Sequence, residues 1–481
     1  MINQAILQQK IQTLLQYPIL NQAVVKKIGK ILPTLDDWQL LKINPFNFAQ
    51  QQSLSENECL DVFIHGAKIG LFDFSYSMVC PLCAGLVHNH RAIEQLDSTS
   101  FYCAVCDIEV PTTLDDQVEV SFDLHSSIKQ LAIDPLSDLT SYRRYHFSDN
   151  YQFSEPISTC FVQVFQKLIT LAPDEESKFS LTVTSPQVNR LASVENNTAI
   201  SICFSEEANQ SFDQAMLTID LLPTDFAPGE LHLPLGTFEF KVKNHTPNTI
   251  GFLLLQPQKE KIIEILKEHP TTIKPFLTAK MLLNNQSFRE LFRIDPLVDH
   301  LNLNVKNLTI MFTDLRGSTE MYDKAGDMLA YKLVKAHFKI LITVVRQFSG
   351  AIVKTMGDAI MATFSRPLDG FLAALEMLKQ IEQLNQEWQA AGYDIGLKIG
   401  INEGPALAVV NDERIDYFGQ SVNIAARVQG LAASGEIWIS QSILESPGVK
   451  AILNEHGYQT EQHSAILKGV GQPTVVHKVF K

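Results

Sequence analysis

The stretch GAIVKTMGDAIMATF, residues 350–364, reads as two β-strands folded about Met356-Gly357-Asp358. Apolar residues run up to a Gly-Asp turn and away from it, the pattern of a tight hairpin. A hairpin needs no charge, yet this one carries a cation, Lys354, and an anion, Asp358, one on either side of Met356-Gly357. The neighbouring segments suggest what those charges face.

Upstream, LTIMFTD (308–314) reads as a strand that leaves Asp314 at its end, followed by Arg316, Gly317, Ser318 and Thr319 where a helix would begin. Free backbone N–H groups at such a start can hold phosphate oxygens, and Ser or Thr there can cap the helix. If the hairpin lies beside this strand, as consecutive elements often do, Asp314 and Asp358 meet at one sheet edge. Two adjacent carboxylates raise each other's pKa unless divalent cations neutralise them. Magnesium, which takes carboxylate and phosphate oxygens together, is the expected neutraliser. Downstream, RIDYFGQSVNIAARVQ (414–429) offers Asp416, Asn423 and Arg427, the last two one helical turn apart on a shared face. An ammonium such as that of Lys354 can donate to adenine N1 while a carboxylate accepts from the 6-amino group; guanine reverses both edges. Arg427 could meet charge developing at phosphorus, and Lys468, in LKGVG, could reach terminal phosphates.

Beyond the hairpin the periodicity predicts a strand at 308–313, a long helix over about 320–348, a second helix over 368–388 and a strand at IGLKIGIN. Then come ALAVV, a helix from about Ser421, EIWIS, and a final pair, SAILKGV and TVVHKVF. The apolar stripes Leu329-Leu333-His337-Leu341-Val345 and Phe371-Leu375-Leu378-Ile381 suit helices packed on a sheet. The fold class expected is α+β, with a ferredoxin-like βαββαβ-type domain over 304–481. Ahead of it, residues 1–55 read as a short helical N-terminus and 56–258 as a β-rich, sandwich-like region, punctuated by turns such as PTDFAPGE. Residues 259–303, including FLTAKMLLNNQSFRELF, read as a helical connector.

Four of the seven cysteines form Cys80-x2-Cys83-x19-Cys103-x2-Cys106. This is the spacing with which two thiolate knuckles close a tetrahedral zinc site, and it places a zinc ribbon at about 76–110. A complete four-thiolate set leaves no open position, so a structural Zn2+ is expected, with rubredoxin-like iron the alternative. His88 and His90 read as surface residues; Cys59, Cys160 and Cys203 read as ordinary core thiols.

At 481 residues the chain has room for several domains, and 45% hydrophobic with 19% charged residues suits packed cores. The net charge of −14 disfavours a nucleic-acid or anionic-membrane partner. No apolar run reaches the length of a membrane span, and MINQAILQQK lacks a signal-peptide pattern, so a cytoplasmic location is expected.

IMFTDLRGST, VKTMGDAIMATF, IGLKIGINEGPA, DYFGQSVNIAARV and LKG, in this order, resemble the class III nucleotide cyclase catalytic domain. The resemblance implies an adenylate cyclase that turns ATP into cyclic AMP and pyrophosphate with two Mg2+ or Mn2+ per site. It implies Asp314 and Asp358, with the Leu315 carbonyl, as metal ligands, and Lys354 and Asp416 as the adenine-selecting pair. Asn423 and Arg427 take the transition-state positions, Lys468 the phosphate position, and Phe312 and Gly317 to Thr319 lie beside the substrate. In this family the site forms between two catalytic domains, which implies a homodimer and explains the hairpin: Lys354 and Asp358 would serve two different sites. Two features depart from relatives: AVVNDERIDYFG is short, and Pro405 follows Gly404 where some carry an arginine. The rival readings are a catalytically silent nucleotide- or partner-binding module and a guanylate cyclase. The N-terminal part resembles the cysteine-knuckle, β-rich region that precedes cyclase domains in some bacterial proteins, with no ligand or partner implied.

Overall fold

The computed structural model describes residues 2–90, 100–111, 115, 117–207, 216–293, 303–316, 327–388, 395–411, 414–466 and 473–481. Helices α1 (Gln4–Leu14), α2 (Gln22–Ile31), α3 (Pro45–Gln51) and α4 (Glu56–Lys68) open the chain. The side chains of Asn3, Asn21 and Asn44 accept backbone N–H bonds at three of these starts, satisfying donors a helix leaves free. The helical stretch runs on to Lys68, past the boundary expected near residue 55. In α4 the adjacent residues Cys59, Leu60, Val62, Phe63 and Ile64 are all buried, and a helix covered on most sides shows no polar stripe to reveal its period.

Phe63 of α4 stacks on Phe72 at 4.5 Å and meets Phe122 at 5.1 Å. These rings belong to β1 (Phe72–Val79) and β5 (Val118–Leu124), which pair antiparallel. Strand β2 (Leu86–His90) flanks β1, while β3 (Ser100–Cys103) and β4 (Ile108–Pro111) form their own hairpin. After α5 (Leu139–His146), β6 (Tyr151–Gln152) and α6 (Glu155–Val164) come two facing sheets. One has the order β13 (Glu230–Leu233), β10 (Thr198–Phe204), β9 (Gln187–Ser193), β15 (Ile250–Leu255), β7 (Phe165–Leu171). The other runs β12 (Phe226–Ala227), β11 (Met216–Leu221), β14 (Gly236–Asn244), β8 (Glu176–Val183). Ile200 and Ile202 from the first sheet share one core with Ile219, Phe240 and Val242 from the second. That is the sandwich expected from period-two patterning.

The segment expected as a plain connector is more than that. After α7 (Lys259–Glu268) and β16 (Thr272–Ile273), strand β17 (Leu277–Thr278) adds to the edge of β5. The run that follows is not one helix but two, α8 (Ala279–Leu283) and α9 (Gln286–Leu291). Asn284 and Asn285 separate them: Asn284 Nδ2 donates to the Lys280 carbonyl, and Asn285 caps α9 by accepting from Phe288 N. Short amide side chains compete with helix continuation in this way.

The C-terminal domain is built on β18 (Leu303–Arg316), α10 (Asp327–Gln347), β19 (Gly350–Met356), β20 (Ala359–Phe364), α11 (Pro367–Trp388) and β21 (Gly396–Asn411). Its sheet order begins β19-β20-β18-β21 with every neighbouring pair antiparallel, the ferredoxin-like arrangement expected. Strand β22 (Arg414–Phe418), α12 (Gln420–Gln429), β23 (Ile437–Ser440), α13 (Gln441–Glu445), α14 (Val449–Glu455), β24 (Gln459–Ala465) and β25 (Thr474–Phe480) complete it.

Alternation along β18 splits its side chains between two cores. Met311 and Leu315 join Leu333, Leu341, Phe371 and Met377 beneath α10 and α11. Leu308, Ile310 and Phe312 face the other way, into a core continuous with Phe63, Phe72 and Leu282 of the N-terminal half. Polar contacts reinforce this seam. Asp115 accepts from Lys280 Nζ at 2.8 Å and from Lys306 N at 2.6 Å, Gln286 Oε1 accepts from Ile352 N at 2.8 Å, and Arg346 pairs with Glu290 at 2.8 Å. Among the described residues no helix is long and apolar enough to cross a membrane.

Candidate active site

The hairpin turn has two residues, Gly357 and Asp358, closed by the Met356–Ala359 pair. Gly357 has φ of +65°, a conformation that a Cβ would strain, and it makes so tight a reversal possible. Strand β18 lies antiparallel to β20 with Thr313 opposite Ile360. The next residue along, Asp314, therefore reaches the level of the turn, and the two carboxylates come together. Burial pushes the Asp314 carboxyl up, and the neighbouring Asp358 charge pushes the same way, against Lys398 on β21. Lys398 Nζ stands 3.8 Å from Asp314 Oδ2. Asp358 Oδ2 is buried without a hydrogen-bond donor among the described residues. Two carboxylates held together at a partly buried sheet edge are costly unless a cation compensates them, and the pair therefore suits a hard divalent ion.

Lys354 and Asp416 also converge. Lys354 Nζ lies 2.7 Å from Asp416 Oδ2, while Asp416 Oδ1 accepts from Tyr417 N at 2.8 Å. Asp416 is buried and the lysine half-exposed, so the pair has one open side. Helix α12 carries Asn423 and Arg427 on its exposed face. Two glycines of β21 let that helix lie against the sheet: a Cβ at Gly400 would stand 2.1 Å from the Gln429 backbone nitrogen, and one at Gly404 would stand 2.4 Å from Ser421 Oγ. Phe312 is buried under this side of the sheet, and the Leu315 side chain is buried on the other. Gly317, Ser318, Thr319 and Lys468 lie outside the described residues.

Three neighbours were not singled out from the sequence for this site. Lys398 could have been found from its register opposite Asp314. His337, read only as part of a helix stripe, is fully buried beside the hairpin turn, where burial pushes its imidazole down to about 4 against the pull of Asp358. Arg289 of α9 donates to the carbonyls of Ile415 and Leu283 and lies over the Tyr417 ring, next to Asp416. No motif announces it, because its partners are backbone atoms, one six residues back and the other 126 residues ahead.

In the N-terminal half the four sulfurs of Cys80, Cys83, Cys103 and Cys106 all lie within 4.8 Å of one another. Tetrahedral bonds of about 2.3 Å put sulfurs about 3.8 Å apart; Cys83 Sγ and Cys103 Sγ are 3.8 Å apart. Both knuckles have the same turn. Ala84 N donates to Cys80 O and Asp107 N to Cys103 O, each at 2.8 Å, with φ of 60° at Ala84 and 58° at Asp107. Hydrogen bonds from Cys103, Cys106 and Cys83 hold the Cys80 thiol down, while Cys83 and Cys106 are pushed up, as expected when thiols crowd without a cation. The set fits a thiophilic ion. The side chains of His88 and His90 lie outside the described residues. Of the other three cysteines, Cys59 and Cys160 are buried as expected; Cys203 is only partly so.

Residues 302–477 match the family model described as adenylate and guanylate cyclase catalytic domain, and residues 7–290 match one described as a family of unknown function, DUF5939. The chain belongs to the DUF5939 family, and its residues 302–477 match the cyclase catalytic domain. Its cyclase domain is 28% identical over 187 residues to an adenylate cyclase of Lachancea kluyveri, a match covering 34% of this chain and 10% of that one. The chain thus spans about a tenth of the length of that relative. Among solved structures, the adenylyl cyclase CyaB of P. aeruginosa aligns at 23% identity with a TM-score of 0.33, over 37% of this chain and 96% of that one. The guanylyl cyclase Cya2 aligns at 24% with the same score, over 37% and 93%.

Proposed function

We propose that the protein is an adenylate cyclase, forming 3′,5′-cyclic AMP and pyrophosphate from ATP in a site shared by two copies of the chain. The observation that carries the choice of ATP is the Lys354–Asp416 pair, 2.7 Å apart with one open side. An adenine edge offers N1 as acceptor to the ammonium and its 6-amino group as donor to the carboxylate. Guanine would set a donor against Lys354 and an acceptor against Asp416, leaving both unpaired.

Asp314 and Asp358, with the Leu315 carbonyl, are the groups proposed to hold two Mg2+ or Mn2+. When bound, these ions supply acidification of the ribose 3′-hydroxyl and charge neutralisation of the triphosphate. The protein's own residues do the rest. Asp416, itself fixed by the Tyr417 amide, and Lys354 orient the base, and with it the ribose. In the reaction the 3′-oxygen bonds to the α-phosphorus, the bond from that phosphorus to the β-phosphate bridge breaks, and the hydroxyl proton is released. Arg427 and Asn423, on the exposed face of α12, meet the charge that grows at the phosphorus. A homodimer with two equivalent sites follows from one chain carrying both half-sets.

We further propose that the four thiolates of Cys80, Cys83, Cys103 and Cys106 hold a structural zinc, and that α8 and α9 pass packing changes from the N-terminal half to the base-reading strands. Supporting the second point, Gln286 binds the backbone of β19 and Arg289 that of β22.

Incubating the purified chain with ATP or GTP, and Mg2+ or Mn2+, then identifying the product by mass spectrometry, tests the reading. Cyclic AMP is expected as the main product. Cyclic GMP in its place would move the assignment to the guanylate rival, and no cyclic nucleotide would favour the silent module.

A further inference from the structure

A cavity of about 410 Å³ lies outside the C-terminal domain, between residues 35–52, β5, the end of α5 with the segment that follows it, and Lys274. That volume suits a small ligand. Its floor is a network joining separate parts of the chain. Glu119 of β5, 7% exposed, accepts at Oε2 from Ser148 Oγ at 2.5 Å. Asn44 Nδ2 donates to Asn150 Oδ1 at 2.8 Å and to the Pro275 carbonyl at 2.9 Å. Burial pushes the Glu119 carboxyl up, against hydrogen bonds from Ser148 and Asn150 and the charge of Lys42.

Three cations line the same space: Lys42, Arg144 and Lys274. Lys42 Nζ is committed to the Tyr145 carbonyl and lies over that ring. Arg144 is stacked 4.8 Å over Trp38, and neither it nor Lys274 is held in an ion pair among the described residues. The one other acid of the lining among the described residues is Asp149, and burial pushes its carboxyl up against the charges of Arg144, Lys274 and Lys42. Three permanent positive charges thus face two acids, each with a carboxyl that burial pushes up. In a chain of net charge −14 this balance runs against the whole. Cations gathered in a concave, partly dry space repel one another, and an anion among them relieves that cost.

A bland account would leave the three cations solvated at a rim. It leaves unexplained why they surround a cavity with a hydrogen-bonding floor and an indole wall, when the surface elsewhere could take them without mutual repulsion. We infer that this cavity is a binding site for a small organic or inorganic anion bearing carboxylate or phosphate groups, held by Arg144 and Lys274 above that hydrogen-bonded floor. The site does not depend on the reaction catalysed at the other end of the chain. It is nonetheless close to the seam in the ladder. Glu119 pairs with Thr278, and Thr278 caps α8, the first of the two helices that meet the cyclase domain.

The test uses tryptophan fluorescence of the full chain, without added nucleotide or metal, at constant ionic strength. The chain has three tryptophans, and Trp38 is the one in the cavity. Titration with citrate and, separately, with inorganic phosphate should give a saturable change with at least one of them, and the responding probe identifies the charged group. Arg144→Gln and Lys274→Gln, both substitutions outside the core, should each weaken half-saturation by about tenfold, the cost of one charge-assisted hydrogen bond. Trp38→Phe should lose the optical signal while calorimetry still detects binding. No saturable response to either probe, or titrations identical in the wild type and both glutamine variants, would overturn the inference.

Discussion

Lys354 and Asp416 are 62 residues apart in sequence, yet their charged atoms meet at 2.7 Å across the edge of one sheet. The exposed lysine alone would be an ordinary surface cation. Joined to a buried carboxylate that is itself fixed by a backbone amide, it becomes a directional pair with a donor and an acceptor side by side.

Exchanging that pair should exchange the base. The combined variant Lys354→Glu with Asp416→Cys should lower kcat/KM for ATP on the order of 10² and raise that for GTP, since a mismatched base leaves buried polar groups unpaired. Parallel assays of the purified variant with both nucleotides check it; an unchanged preference for ATP would remove these residues from base recognition.

The carboxylates make a different prediction. Asp314→Asn or Asp358→Asn should each depress turnover by at least about 10², as expected for loss of an anionic ligand, and calorimetry should show weaker Mn2+ binding. Because Asp358 Oδ2 is buried without a donor among the described residues, neutralising it should leave the melting temperature equal or higher. A melt well below that of the wild type would mean the carboxylate braces the fold.

How much of this could be read beforehand depends on the length scale of the interaction. The hairpin, the cysteine knuckles and the Asn423/Arg427 face are local patterns of turn, spacing and helical period, and each appears where the residues predicted. The ferredoxin-like strand order follows from element sequence and patterning. The roles proposed for Lys354 and Asp416 rest on the resemblance to cyclases, since nothing in either strand's periodicity points to the other. Helix α4 was missed because it is buried on most sides, and the break between α8 and α9 because two asparagines interrupt an otherwise helical stripe. Arg289 and His337 belong to a third kind: one binds backbone carbonyls, which no side-chain pattern marks, the other is a polar ring in an apolar stripe, and neither leaves a sequence signal.

Arg289 supports a prediction about the seam. Removing its guanidinium leaves the Ile415 and Leu283 carbonyls without that donor, next to Asp416. Arg289→Ala should raise KM for ATP by roughly 3- to 10-fold with kcat changed by less than about twofold, and Arg289→Lys should recover part of the loss. Equal losses in kcat and kcat/KM would instead place its effect on the transition state.

The knuckles predict a metal content. Native mass spectrometry of the purified chain should find one zinc per chain, and Cys103→Ser should lose it together with several degrees of melting temperature. A zinc-free chain that melts like the wild type would leave the four thiols as ordinary buried cysteines.

The claim at the centre is that Asp314 and Arg427 act in one site while belonging to different chains. Asp314→Ala and Arg427→Ala should each be inactive alone. Mixed in equal amounts and allowed to exchange, they should recover roughly a quarter of the wild-type rate, because half the dimers are mixed and each of those has one intact site. No recovered activity, after exchange has been verified by mass spectrometry, would contradict the shared site.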